Sequence, residues 1–191
     1  MSPLEIVATV FGLLSVALTV RQNIWCWPTG LVQVVLYIFI FYQAKLYSDS
    51  ILQVLYVVFQ FYGWWHWLHG GRERTSAPVT RLRPQALSGW IVVGIIGSLL
   101  WGSVMARFTD AALPYPDAFV VVLSLVAQWL LTRKVLESWH FWIAVDVLAI
   151  GVYALKRLYL TSGLYAVFLV LAVLGLLAWK KELDRPCTRP A

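Results

Sequence analysis

Read between its charged residues, the chain falls into seven apolar stretches, and that pattern decides most of what it can fold into. They run from Leu4 to Val20, Ile24 to Tyr42, Ser50 to Leu68, Leu87 to Met105, Ala118 to Thr132, Trp139 to Leu155 and Ser162 to Trp179. A helix that crosses the hydrocarbon core of a bilayer needs about 20 mostly apolar residues, and all but the short fifth stretch come close to that length. Of the 191 residues, 61% are hydrophobic and only 13% charged, with a mean hydropathy of +0.76. A soluble domain carries about 25% charged residues and could not hide this much apolar surface in one core. The chain therefore reads as an all-α integral membrane protein with seven transmembrane helices. No basic residue precedes the first stretch and no small-residue cleavage site follows it, so it is expected to stay in the mature protein.

Charge sets the expected orientation. With seven crossings the termini lie on opposite sides. One side holds Lys45, Arg107, Lys156 and Arg157; the other holds Arg21, Arg72, Arg74, Arg81, Arg83, Arg133, Lys134, Lys180, Lys181, Arg185 and Arg189. The positive-inside rule then places the N-terminus outside and the C-terminus in the cytoplasm. The net charge of +6 is spread between apolar runs and forms no basic face, which excludes a nucleic-acid binder. Cys26 and Cys187 both fall near the cytoplasmic side, where thiols stay reduced, so no disulfide framework is expected.

The chain also resembles itself. An offset of 114 lays Trp25 on Trp139, Leu46 on Leu160, Ser48 on Ser162 and Trp65 on Trp179, and carries helices one to three onto five to seven. An offset of four crossings preserves direction, so the triplets are expected to be parallel repeats in a 3+1+3 arrangement, a transporter architecture with the substrate held between halves. The expected organisation is a first repeat over 1–68, a cytoplasmic linker over 69–86, a connecting helix over 87–107, a second repeat over 118–182 and a cytoplasmic tail over 183–191. Gly94, Ser98 and Gly102 give the connecting helix a small face for close packing.

Polar groups inside lipid need a partner, a cavity or a substrate. Asp49, Gln53, Tyr56, Gln60, Gly63 and Trp67 recur at three- and four-residue spacing and form one stripe of the third helix. Trp139, Trp142, Asp146 and Tyr153 form a second on the sixth. Asp146 is the only carboxylate well inside a span, about 10 Å beyond Trp139 at the helical rise. A charge there costs at least about 2.5 kcal/mol, and no Lys or Arg lies within any span to offset it. Its partner is then a hydroxyl, a proton or a cationic ligand, with Trp142 one turn earlier as a face for a flat cation. Gln33 with Tyr37 and Ser124 with Gln128 could line the same cavity or simply join helices. Pro28 and Gly30, just after Asn23, Trp25 and Trp27, fit a first helical turn better than a hinge. Trp64, Trp65, Trp90, Trp101 and Trp179 lie near span ends, where indoles gather at the interface. His66 and His69 share a face without an acid at ligand spacing, so neither a metal nor a cofactor is expected. The chain has no phosphate-binding G-x-x-x-x-G-K-[ST] loop and no H-E-x-x-H set, and is not expected to be an enzyme.

The segments NIWCWPTG at Asn23–Gly30, YSDSILQ at Tyr47–Gln53, YGWWHW at Tyr62–Trp67, WHFWIAVD at Trp139–Asp146 and GLY at Gly163–Tyr165 together resemble the PnuC family of bacterial vitamin transporters. The resemblance implies a SWEET-like fold in a bacterial inner membrane. It also implies uptake of nicotinamide riboside, a precursor of NAD, by facilitated diffusion with alternating access, with relatives that carry thiamine, riboflavin or deoxynucleosides. Specificity in such carriers resides partly in the Trp-x-x-Trp segment and the polar residue four positions later, here Trp139, Trp142 and Asp146. The substrate-binding set that follows is Gln53, Tyr56, Trp142, Asp146, Trp139, Gln33, Gln128, Gln60 and Asn23. The expected partners are a small cationic substrate, nicotinamide riboside or alternatively thiamine or another vitamin or nucleoside of the same family, and membrane lipid, with no nucleic acid and room for a homo-oligomer.

Overall fold

The computed structural model describes residues 3–43, 47–71, 75–109 and 112–184, with the side chains of 47–49 and 51 left out. Lys45, Leu46, Arg72, Arg74, Arg185, Cys187 and Arg189 lie outside the described residues, as do the side chains of Ser48 and Asp49. Among those described there are seven helices: α1 Pro3–Val20, α2 Cys26–Gln43, α3 Tyr47–His69, α4 Pro84–Phe108, α5 Pro114–Thr132, α6 Ser138–Leu155 and α7 Tyr159–Leu183. Six of these are long and apolar enough to cross a membrane. The exception is α3, whose 23 residues include two glutamines and a run of Trp, Tyr and His that dilute its hydropathy. The fifth helix is longer than its apolar stretch, because Pro114 can open a helix without an amide to satisfy and Asp117 favours its first turn.

The chain divides into two compact units, Met1–Pro78 with Leu131–Arg133, and Val79–Leu130 with Lys134–Ala191. In the first, α2 packs against both α1 and α3. The stripe expected on α3 is its inner face: Gly63 and Trp67 are buried and Gln53, Tyr56 and Gln60 half-buried, while Val54, Leu55, Val58, Phe61 and Trp65 are exposed. Pro28 sits in the first turn of α2, so no hinge forms there.

In the second unit α6 packs against α7, and Val126, Ala127, Leu130, Val135 and Phe141 form a core on which Leu87, Trp90 and Trp142 rest. The small face of α4 does what its spacing predicts. Gly94, Ser98 and Gly102 are buried, and a Cβ at Gly94 or Gly102 would come within 2.7 Å of Leu123 or 2.6 Å of Tyr115 on α5. Residues 80–82, just ahead of α4, are tied to the α5–α6 turn. Thr80 pairs with the α5–α6 turn through Thr80 N–H to Lys134 O at 3.1 Å and Leu136 N–H to Thr80 O at 2.9 Å. Leu82 N–H donates to the buried Glu137 carboxylate at 3.0 Å.

Several local features recur at a separation of 112 residues rather than 114. Gln22 and Lys134 are both left-handed, with φ of 53° and 57°. Ser50 and Ser162 donate to Ile38 O and Ile150 O at 3.2 and 3.1 Å. Trp27 meets Trp67 edge-on at 5.2 Å and 86°, and Trp139 meets Trp179 at 5.4 Å and 88°. The offset of 114 aligned Trp25 with Trp139, but Trp25 is 65% exposed and Trp139 only 2%. Trp179, expected at the membrane interface, is fully buried for the same reason: it is half of a packed indole pair.

Candidate functional site

Each unit carries polar groups in its helices. In the first, the side chain of Gln33 on α2 lies over Gly12 of α1, and that of Gln60 on α3 lies over Gly30 of α2 beside Ser15. Only a residue without a Cβ lets an amide come so close: an added Cβ would stand 2.8 Å from Gln33 Nε2 and 2.6 Å from Gln60 Nε2. Ser15 is fixed by donating to Cys26 O at 2.7 Å. Tyr37 stacks on Phe41 at 5.4 Å, with its hydroxyl 3.5 Å from Thr9 Oγ1. Among the described residues, the side chains of Gln33, Gln53 and Gln60 have no hydrogen-bond partner. Tyr56 lies on the same face of α3, edge-on to Phe59 at 6.2 Å.

The second unit supplies charge and rings. Asp146 on α6 is 3% exposed and has neither a hydrogen-bond nor an ion-pair partner among the described residues. Gln128 on α5 is 7% exposed and equally unpartnered. Trp142 is partly buried at the edge of the core, which leaves part of its ring accessible. Tyr153, on the same stripe, stacks on Tyr165 of α7 at 5.3 Å.

Two of the expected residues have visible packing tasks. The Trp139 ring is clamped between Trp179 and Gly175, where a Cβ would stand 2.5 Å from the indole. Its Nε1 has no acceptor, and neither has that of Trp27, its counterpart in the first unit. Asn23 is exposed in the α1–α2 turn, where its side-chain oxygen accepts from Trp25 N–H at 3.0 Å. Nothing in the sequence marks Gly12 or Ser15, because a small residue on α1 signals nothing until the side chain that lies over it is known. His66 and His69 stack on Tyr62 and Trp65 at 5.8 Å each. No group of three or more metal-ligating side chains occurs among the described residues.

Residues 2–181 match the family model described as nicotinamide mononucleotide transporter. The nicotinamide riboside transporter PnuC of Escherichia coli strain K12 is 29% identical, over 94% of this chain and 85% of that one. Its namesake in Neisseria mucosa is 31% identical over 94% and 72%. The riboflavin/roseoflavin transporter RibM of Streptomyces davaonensis is 23% identical over 92% and 83%. A solved crystal structure of the vitamin B3 transporter PnuC superposes with a TM-score of 0.76 at 29% identity, covering 95% of this chain and 82% of that chain. With a family model spanning nearly all its residues and helices arranged like those of a solved relative, the chain belongs to the nicotinamide mononucleotide transporter family of membrane proteins.

Proposed function

We propose that the chain carries nicotinamide riboside across a bacterial inner membrane by facilitated diffusion, alternating between outward- and inward-open states. The observation that carries this reading is the Asp146 carboxylate, 3% exposed and unpaired within an apolar helix. A fixed positive charge on an aromatic ring is its natural complement: the carboxylate balances the pyridinium while Trp142 offers the ring an indole face. Amides able to hydrogen-bond the carboxamide and ribose hydroxyls are those of Gln33, Gln53 and Gln60 in the first unit, where Tyr56 shares the inner face of α3, and that of Gln128 in the second. Trp139 holds the Trp142–Asp146 segment of α6 in place, and Asn23 fixes the turn that starts α2.

The substrate is the riboside rather than the mononucleotide. A phosphate would have to be stripped of water with no Lys or Arg in the interior of any described helix to receive it. The N-terminus lies outside and the C-terminus in the cytoplasm, as the basic residues favour. Net uptake is then maintained by consumption of the riboside inside the cell.

Calorimetric titration of the purified protein with nicotinamide riboside, nicotinamide mononucleotide and thiamine tests this reading. Riboside binding that weakens about tenfold or more in Asp146→Asn is expected, which is the loss of about 1.4 kcal/mol. Binding of thiamine alone would replace the substrate, since thiamine also carries a cationic ring. Equal binding of the mononucleotide would remove the argument from charge.

A further inference from the structure

The two units are built to one plan, yet at 112 residues' separation they exchange large and small residues at one pair of positions. Gly30 of α2 and Gln60 of α3 correspond to Trp142 of α6 and Ala172 of α7. The first unit has its small residue on α2 and a long amide on α3; the second unit has a large indole on α6 and a methyl on α7. Gly12 and Gln33 likewise correspond to Ser124 and Val145. The amides over glycine thus belong to the first unit alone.

We propose that Gly12 and Gly30 are positioning residues of the substrate site, setting where the Gln33 and Gln60 amides stand and so which ligand hydrogen-bonding groups the carrier accepts. The proposal rests on the substrate reading given above. Three observations support it. Each glycine lies so close to one glutamine that a Cβ would come within 3.0 Å of the amide nitrogen. Both amides lack a protein partner among the described residues, so nothing but this steric floor and the neighbouring side chains sets their depth. The three atoms nearest to a methyl group added at Gly12 belong to the end of one flexible side chain, that of Gln33. The amide can therefore yield while the helices stay in place.

The glycines at 63 and 175 are of another kind. There a Cβ would run into the flat ring of a buried tryptophan, Trp27 or Trp139, which has no room to turn. A spacer of that type affects folding first. Gly12→Ala replaces the poorest helix former but proline with the best, and should leave the fold intact.

The test is a titration of the full chain and of Gly12→Ala and Gly30→Ala with three probes: nicotinamide riboside, the N-ribosylpyridinium that lacks the carboxamide, and the dideoxyribose analogue of the riboside. Melting temperature is recorded alongside. In the wild type the riboside is expected to bind more tightly than at least one analogue. In each glycine variant that preference shrinks by roughly three- to tenfold, the loss of about one hydrogen bond, with the melting temperature unchanged in Gly12→Ala, where the added methyl meets the Gln33 side chain. Shortening the displaced side chain, in Gly12→Ala with Gln33→Asn, restores part of the preference. Equal preference in wild type and both variants would overturn the positioning role and leave the substrate reading standing. So would an equal loss for all three probes together with a lower melting temperature, which is the mark of a spacer. If the wild-type protein binds none of the probes, the substrate reading falls and the proposal with it.

Discussion

Trp139 meets Trp179 edge-on, with ring centroids 5.4 Å apart and planes at 88°, and Trp27 meets Trp67 in the same way at 5.2 Å and 86°. Each pair is closed by a glycine, Gly175 of α7 or Gly63 of α3, which lets the indole of α6 or α2 come close to the backbone. The same device therefore locks α6 to α7 and α2 to α3.

Methyl groups at these glycines should be poorly tolerated. Gly175→Ala and Gly63→Ala are each expected to destabilise the protein by about 1–3 kcal/mol, the usual cost of overpacking. A thermal melt in detergent reads the effect. A fall in melting temperature no larger than that of Gly151→Ala, where a Cβ meets nothing within 4 Å, would count against the clamp.

Glu137 is expected to anchor the linker. Its carboxylate accepts the Leu82 N–H at 3.0 Å while being only 8% exposed. Glu137→Ala leaves that amide without its acceptor, so trypsin should cut after Arg81 faster than in the wild type. Glu137→Gln keeps an acceptor oxygen and should be cut at close to the wild-type rate. Digestion followed by mass spectrometry distinguishes the three.

Lys156 at the end of α6 grips both carboxylate oxygens of Asp117 in the first turn of α5, at 2.8 and 2.7 Å. Their side chains are 28% and 27% exposed, so solvent screens the pair only in part. Lys156→Met is expected to cost about 1 kcal/mol, and the difference from wild type should shrink in 1 M salt, where the Debye length is about 3 Å. A salt-independent difference would assign the effect to packing of the lysine stem.

Gln22 holds a left-handed backbone, φ 53°, at the exposed α1–α2 turn. A side chain there costs about 1 kcal/mol that glycine avoids. Gln22→Gly should therefore raise the melting temperature slightly or leave it unchanged, whereas Gln22→Val should lower it. The reverse order would mean that the Gln22 side chain matters more than the turn.

The sequence by itself determined the membrane class, the seven helices and the inward stripe of α3. These follow from composition and from a periodicity written within each helix, so Gln53, Tyr56 and Gln60 could be placed on one face without knowing what that face meets. Asp146 stood out for the same local reason, as a carboxylate with no basic residue in any span. Tertiary structure decided the rest. It moved the repeat from 114 to 112 residues, because the register is fixed by which tryptophan fits against which glycine on a neighbouring helix, and a chain rich in Trp offers several near matches. It turned Trp179 from an interfacial residue into a core one and gave Gly12 and Gly30 a task. It also tied the linker to the α5–α6 turn through Thr80, Leu82 and Glu137. Each of these depends on a contact between residues distant in the chain, about which helical periodicity carries no information.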